Sequence, residues 1–279
     1  MGAVVNGKTK FRKIMVRLAV GILAVLMAIP LYIAFVNAFK KTSEITKSPL
    51  TFPIPPTLEN VRKVLESPNI HLGEMYGNSL CIAFFGTVIC IAVSALAGYY
   101  LSREKSKLAG ALSVYFLFGL MVPYVIVYVP LVTMFKGTGF LGTMPGLILV
   151  FVSGSISFSV FMFQGYIQSI PLELEEAALL DGAGQFSIFT RVVLPLVKPC
   201  TATVAIFIGL SMWNDFLTPL LIGQKMTITV GIYTAIGPYA ADWGTVFAYV
   251  LFAAAPIVVV YLAAQEQFIS GLTVGAVKG

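Results

Sequence analysis

Gly2-Ala3-Val4-Val5-Asn6-Gly7-Lys8-Thr9 satisfies, residue for residue, the glycine-rich pattern whose backbone amides cradle nucleotide phosphates. Such a loop works between a strand and a helix of an α/β unit. Here only Met1 precedes it and a long apolar run follows, so the segment reads as a basic tail over residues 1–13. His71 is the one histidine, with no second metal ligand near it in sequence. Cys81, Cys90 and Cys200 fall in or at the edge of apolar blocks without metal-ligand spacing, and read as small buried hydrophobes. No nucleophile–histidine–acid set and no metal cluster can be assembled, so neither catalysis nor a cofactor is expected. Two features remain. Asp215, beside Trp213 and Asn214, is a carboxylate inside an apolar block, a costly placement that calls for a cavity or a hydrogen-bonding partner at an interface. Ser153, Ser157, Phe161 and Gln164 fall at i, i+4, i+8 and i+11, one helix face that either lets helices pack closely or lines a polar path.

The elements that must hold these residues follow from composition. With 58% hydrophobic and 11% charged residues, against about a quarter charged in soluble domains, the 279-residue chain belongs in a membrane. The net charge of +6 does not indicate nucleic acid, because the basic residues are scattered at the edges of apolar blocks and act as topology signals. Six apolar blocks are long enough to span: Ile14 to Phe35, Tyr76 to Leu101, Leu108 to Phe135, Pro145 to Tyr166, Cys200 to Ile222 and Trp243 to Ala264. The first exceeds the core of a cleavable signal peptide, about 7–15 residues, and is expected to stay as a helix kinked at Pro30. Eleven lysines and arginines then face the cytoplasm and seven the outside, which puts both termini in the cytoplasm. Residues 37–75 form an external loop, extended through Phe52-Pro53-Ile54-Pro55-Pro56 and helical from Leu58 to Leu65. The fold class is an all-α membrane protein built as a single transmembrane domain over 1–279.

Residues 170–199 form the longest stretch between apolar blocks that reads as both ordered and cytoplasmic. Pro171 suits the first turn of a helix, Glu173, Glu175 and Glu176 complement its dipole, and Ala177 to Leu180 are strong helix formers. Asp181-Gly182 stops this helix, with Gly182 able to take a left-handed turn. A second short helix carries Phe186, Phe189 and Val193 on one face, and Pro195 and Pro199 lead into the next block. So short an element cannot bury its own apolar surface. It either lies on lipid headgroups or docks on a partner, and three glutamates on the first helix disfavour an anionic leaflet.

Glu176-Ala177-Ala178-x-x-Asp181-Gly182-Ala183 followed by Val193-Leu194-Pro195 resembles the "EAA" loop of transmembrane permease subunits of ABC importers. Trp213-Asn214-Asp215-Phe216-Leu217-x-Pro219-Leu220, Asn78-Ser79 and the ending Gly271-Leu272-x-x-Gly275-Ala276-Val277-Lys278-Gly279 resemble the carbohydrate branch of that family, close to the six-helix permease of maltose-type importers. The similarity runs from about Leu18 to Gly279. It implies a type I importer permease fold of six transmembrane helices in a bacterial cytoplasmic (inner) membrane. By the same resemblance, Glu176, Ala177, Ala178, Asp181, Gly182, Ala183 and Pro195 couple to an ATPase, and Ser153, Ser157, Gln164, Asn214 and Asp215 serve the translocation path or an interface. The implied partners are a second homologous permease, two ATP-binding cassette subunits and an extracellular substrate-binding protein that delivers a sugar. A secondary transporter or channel is the alternative, since Asp215 is the kind of mid-membrane ionisable residue such proteins use.

Overall fold

The computed structural model describes residues 7–67, 71–237 and 241–276, and among them every regular element is helical. In chain order these are α1 (Gly7–Ala38), α2 (Thr42–Ile45), α3 (Glu59–Leu65), α4 (Leu72–Arg103), α5 (Lys107–Gly119), a 3-10 turn (Tyr124–Val127), α6 (Tyr128–Thr138) and α7 (Met144–Gln168). There follow α8 (Glu173–Leu180), α9 (Gln185–Ile188), a π turn (Phe189–Val193), α10 (Leu194–Leu196), α11 (Lys198–Asn214), a second π turn (Pro219–Gly223), α12 (Ile228–Ile236) and α13 (Trp243–Ala276). Among the described residues four helices are long and apolar enough to cross a bilayer, and the number rises to six if each of two bent pairs counts as one span.

Two of the expected spans are not continuous helices. Residues Lys107–Gly119 and Tyr124–Thr138 meet at 95°. Pro123 supplies no amide and drives Val122 out of the helical region, which breaks the ladder there. Helix α11 has 17 residues, about 25 Å at 1.5 Å per residue, and stops at Asn214 where Asp215 turns extended (φ −74°, ψ 130°). Irregular backbone at membrane depth must be satisfied by protein groups or line a cavity. By contrast, α1 runs unbroken through Pro30 and begins at Gly7, so Lys10, Arg12 and Lys13 stand on the helix and not in a tail. Residues 1–6 of the phosphate-loop pattern lie outside the described residues.

The chain divides into two compact units, Met1–Asn69 with Ile232–Ala253 and Ile70–Gly231 with Ala254–Gly279. In the first, the segment between α1 and α3 is folded on buried polar groups. Lys40 is buried, and its Nζ donates to the carbonyls of Ser48 and Thr51, both at 2.7 Å. Asn60 donates to the carbonyls of Ala38 (3.0 Å) and Lys40 (2.7 Å), satisfying backbone that would otherwise be stranded. Asp242 caps α13, accepting from the amide (3.3 Å) and hydroxyl (2.9 Å) of Thr245, and Lys63 lies 3.5 Å away.

The second unit is organised around α4. A side chain at Gly98 would place its Cβ 2.7 Å from Phe163 Cβ and 2.9 Å from the Gln164 amide, so α4 and α7 can approach this closely only at glycine. Gly86 receives Met212 of α11 in the same way, and Cys90 Sγ lies 3.4 Å from Ser159 Oγ of α7. Small residues bring the backbones together, as expected where lipid supplies no hydrophobic drive between helices. The core fills with Ile82, Cys90, Phe163, Ile167, Val193, Cys200 and Val204.

Candidate coupling loop and membrane-embedded polar sites

Helix α8 ends as its sequence dictates. Gly182 has φ +85°, its amide donates to Leu179 O at 3.0 Å, and the Ala183 amide donates to Ala178 O at 3.0 Å. These are the two bonds of a Schellman motif, with Gly182 in the left-handed position and Ala178 and Ala183 as the apolar pair beside it. Both alanines are half-buried and pack against the core cluster, to which α9 and the π turn contribute Ile188, Phe189 and Val193. Three of the motif residues, Ala178, Gly182 and Ala183, therefore form one object, a tight elbow seated on the bundle. Glu176, Ala177 and Asp181 are exposed on its outer side, and Pro195 is exposed in α10.

The outer side is also apolar. Leu180 is 89% exposed and Phe186 75% exposed, with Leu174 and Leu179 exposed nearby. Phe186 thus departs from the face it was expected to share with Phe189 and Val193, which are buried together with Ile188. Phe186 lies in the four-residue helix α9, ahead of the π turn at Phe189–Val193 in which Leu194 N bonds back to Phe189 O.

Glu175 differs from its two neighbours. It is buried, and its Oε1 accepts Arg103 Nε at 2.8 Å and lies 2.7 Å from Arg103 Nη2, while Oε2 accepts the Tyr99 hydroxyl at 2.9 Å. Sequence reading placed Glu175 with the dipole-complementing glutamates and Arg103 with the topology signals. No local pattern marks them as partners 72 residues apart.

The α7 residues are held in different ways. Ser153 Oγ donates to Val150 O within its own helix (2.9 Å). Ser157 stands against Gly119 at the end of α5, where a Cβ would collide with its hydroxyl. Gln164 Nε2 donates to Ser113 Oγ (3.0 Å) and Leu101 O (3.3 Å), tying α7 to α5 and α4. At the end of α11, Asn214 donates to Leu210 O (2.9 Å), and Asp215 caps the turn that follows. Its Oδ1 accepts the amides of Leu217 (2.7 Å) and Thr218 (3.1 Å), and its Oδ2 accepts the Thr218 hydroxyl. Thr229 donates to Asp215 O (2.8 Å), and Tyr128 of α6 lies 2.7 Å from the Thr218 hydroxyl. The carboxylate thus replaces the hydrogen bonds lost at the helix break.

A bundle of broken and unbroken apolar helices that carries a structured elbow with an uncovered apolar side is the architecture of a polytopic membrane protein. The chain belongs to the family of binding-protein-dependent transport system inner membrane components, whose profile matches residues 91–268. It is 35% identical over 276 residues to the melibiose/raffinose/stachyose import permease protein MelC of Bacillus subtilis, covering 98% of this chain and 99% of that one. It is 32% identical over 260 residues to a probable starch degradation products transport system permease protein, AmyC, of Thermoanaerobacterium thermosulfurigenes, covering 92% and 94%. Among solved structures, a chain of a bacterial ABC transporter involved in the import of the acidic polysaccharide alginate superposes with a TM-score of 0.80 at 20% identity, covering 96% of this chain and 100% of that one. The fold is that of an ABC importer permease.

Proposed function

We propose that this chain is the membrane-spanning permease subunit of an ATP-driven importer for a sugar or oligosaccharide. It sits in a bacterial cytoplasmic membrane with both termini inside. It pairs with a second, homologous permease to enclose the path, receives substrate from an extracellular binding protein, and is driven by two separate ATP-binding cassette subunits. The chain itself performs no hydrolysis and holds no cofactor. The relatives named for melibiose, raffinose, stachyose and starch products support an oligosaccharide as cargo. Ser153, Ser157 and Gln164 on α7 and Asn214-Asp215 after α11 are the residues assigned to the path or the permease–permease interface.

The observation that carries this reading is the elbow. A Schellman turn fixes the angle between α8 and α9, the alanine pair seats it on the bundle, and Leu180 and Phe186 are left uncovered. Two large apolar side chains exposed on so small a projection suit a hydrophobic cleft on another protein. When the ATPase subunits close, the elbow moves with them and the bundle rocks between inward-open and outward-open states. A channel or secondary transporter has no use for such an element, and the Asp215 carboxylate serves as a backbone cap.

The test is a single cysteine in place of Leu180, in a background lacking Cys81, Cys90 and Cys200, treated with a short bifunctional maleimide in membranes. The expected product is a cross-link to an ATP-binding subunit. Cross-linking to lipid-proximal partners alone, with the ATPase co-expressed, would favour a loop lying on headgroups.

A further inference from the structure

The last turn of α4 carries Tyr99 and Arg103, four residues apart and therefore on one face of the helix. Both reach the elbow. Arg103 holds Glu175 through Nε and Nη2, and Nη2 also donates to Ile170 O at 3.1 Å, just before α8. Tyr99 donates to the other oxygen of Glu175, its hydroxyl lies 3.5 Å from Gln185 Oε1 on α9, and its ring packs on Phe189 with centroids 5.3 Å apart. Two side chains of α4 thus grip both arms of the loop, on either side of Gly182. The grip is largely dry: the Glu175 side chain is 8% exposed and that of Arg103 19%. Both carboxylate oxygens are used, and the guanidinium is shared between a carboxylate and a carbonyl, a geometry with little freedom to slide.

Simple burial would not call for this chemistry, because well-packed apolar side chains can replace a buried ion pair without loss of stability. What an ion pair with directional hydrogen bonds adds is a fixed angle and distance between the two elements it joins. The element on the far side is the one about which the second unit is built, with α7 against Gly98 and α11 against Gly86.

We propose that Arg103, Tyr99 and Glu175 form the joint that passes displacement of the coupling loop into α4. They are positioning residues in energy transmission, distinct from the exposed surface that meets the ATPase. The proposal rests on the reading of this chain as an ATP-driven permease. In it, α8 and α9 move as one body with the end of α4, and loosening the joint lets the elbow follow the ATPase while the bundle does not.

The experiment is ATP consumed per sugar imported, measured in vesicles containing the complete reconstituted transporter with its binding protein, using radiolabelled raffinose. Glu175→Gln keeps the shape and removes the charge, and Tyr99→Phe keeps the ring on Phe189 and removes only the hydroxyl bond. The expected result is a rise of at least tenfold in ATP per sugar for Glu175→Gln and about threefold for Tyr99→Phe. Combining Arg103→Glu with Glu175→Arg should bring the ratio back to within about threefold of wild type. A wild-type ratio in both single variants would overturn the joint. So would uptake and ATP hydrolysis falling in parallel, with the ratio fixed, because that is the signature of reduced assembly alone. Should Glu175→Gln not assemble, the Tyr99→Phe ratio decides. Wild-type uptake that needs no ATP would instead reject the permease reading and the joint with it, an outcome separable from the others because it is seen before any variant is made.

Discussion

Asp215 Oδ2 accepts the hydroxyl of Thr218 at 2.6 Å, and that hydroxyl lies 2.7 Å from the hydroxyl of Tyr128 on α6. The same carboxylate takes two backbone amides, so one side chain closes a helix break and links it to the segment beyond the bend at Pro123. Replacing it with an apolar residue strands two amides, at about 1–3 kcal/mol for each group left unsatisfied, while the Thr218 hydroxyl keeps Tyr128 as a partner. Asp215→Leu should therefore lower the yield of assembled protein and the melting temperature in detergent. Glu59→Leu should do little, since the pair Glu59 makes with Lys63 at 3.3 Å is exposed. Equal melting temperatures for the two variants would show that the break is held by something else.

Gly182 and Gly184 offer a matched pair within the elbow. Neither has a heavy atom within 4 Å of a built Cβ, so space is not at issue. Gly182 has φ +85° whereas Gly184 has φ −74°, so alanine at Gly182 costs about 1–2 kcal/mol of backbone strain and at Gly184 none. Gly182→Ala should reduce uptake and weaken ATPase binding severalfold while the protein still inserts and pairs with its partner permease. Gly184→Ala should transport near normally. Gly139, in the connection after α6, would be a poor control, because at φ +76° it is strained by substitution in the same way. Equal transport by the two alanine variants, measured as initial uptake rates, would remove the conformational role of Gly182.

Asp242 sets a pH dependence for the first unit. Burial pushes its carboxyl upward, but the Thr245 hydroxyl and amide, the Lys63 ammonium and the Thr42 hydroxyl together outweigh it and leave the group below the usual carboxylate range. A folded-state value below the unfolded one gives stability that is full above about pH 4 and is lost as pH falls through the lowered value. Asp242→Asn should therefore melt below wild type at neutral pH, with the gap closing as the pH drops below about 4. A gap that stays constant down to pH 3, in melting curves of the purified protein, would contradict the assignment.

The elbow was legible in the sequence because its determinants are local. Asp181-Gly182 carries the turn, and the spacing of Ala178 and Ala183 around it supplies the apolar pair. The long apolar helices were legible for the same reason, and so was the short helix α3, at Glu59–Leu65 against an expected Leu58 to Leu65. What escaped depends on distant partners or on backbone detail. Hydropathy does not register Pro123 as a 95° bend or Asp215 as a cap, since the flanking residues remain apolar. Phe186 is exposed although its spacing from the buried Phe189 is helical. Glu175 looked like one of three solvated glutamates until Arg103 and Tyr99 were seen to meet it.

The central claim is that this chain moves an oligosaccharide only when ATP-binding subunits act on it. The most direct measurement is uptake of a labelled oligosaccharide that the binding protein holds into vesicles containing this permease, its partner permease and the ATPase subunits, with the binding protein outside. Uptake should require ATP inside and binding protein outside, should run against the sugar gradient, and should persist when proton and sodium gradients are collapsed. Uptake without ATP that follows an ion gradient would contradict the account and assign the chain to a secondary transporter.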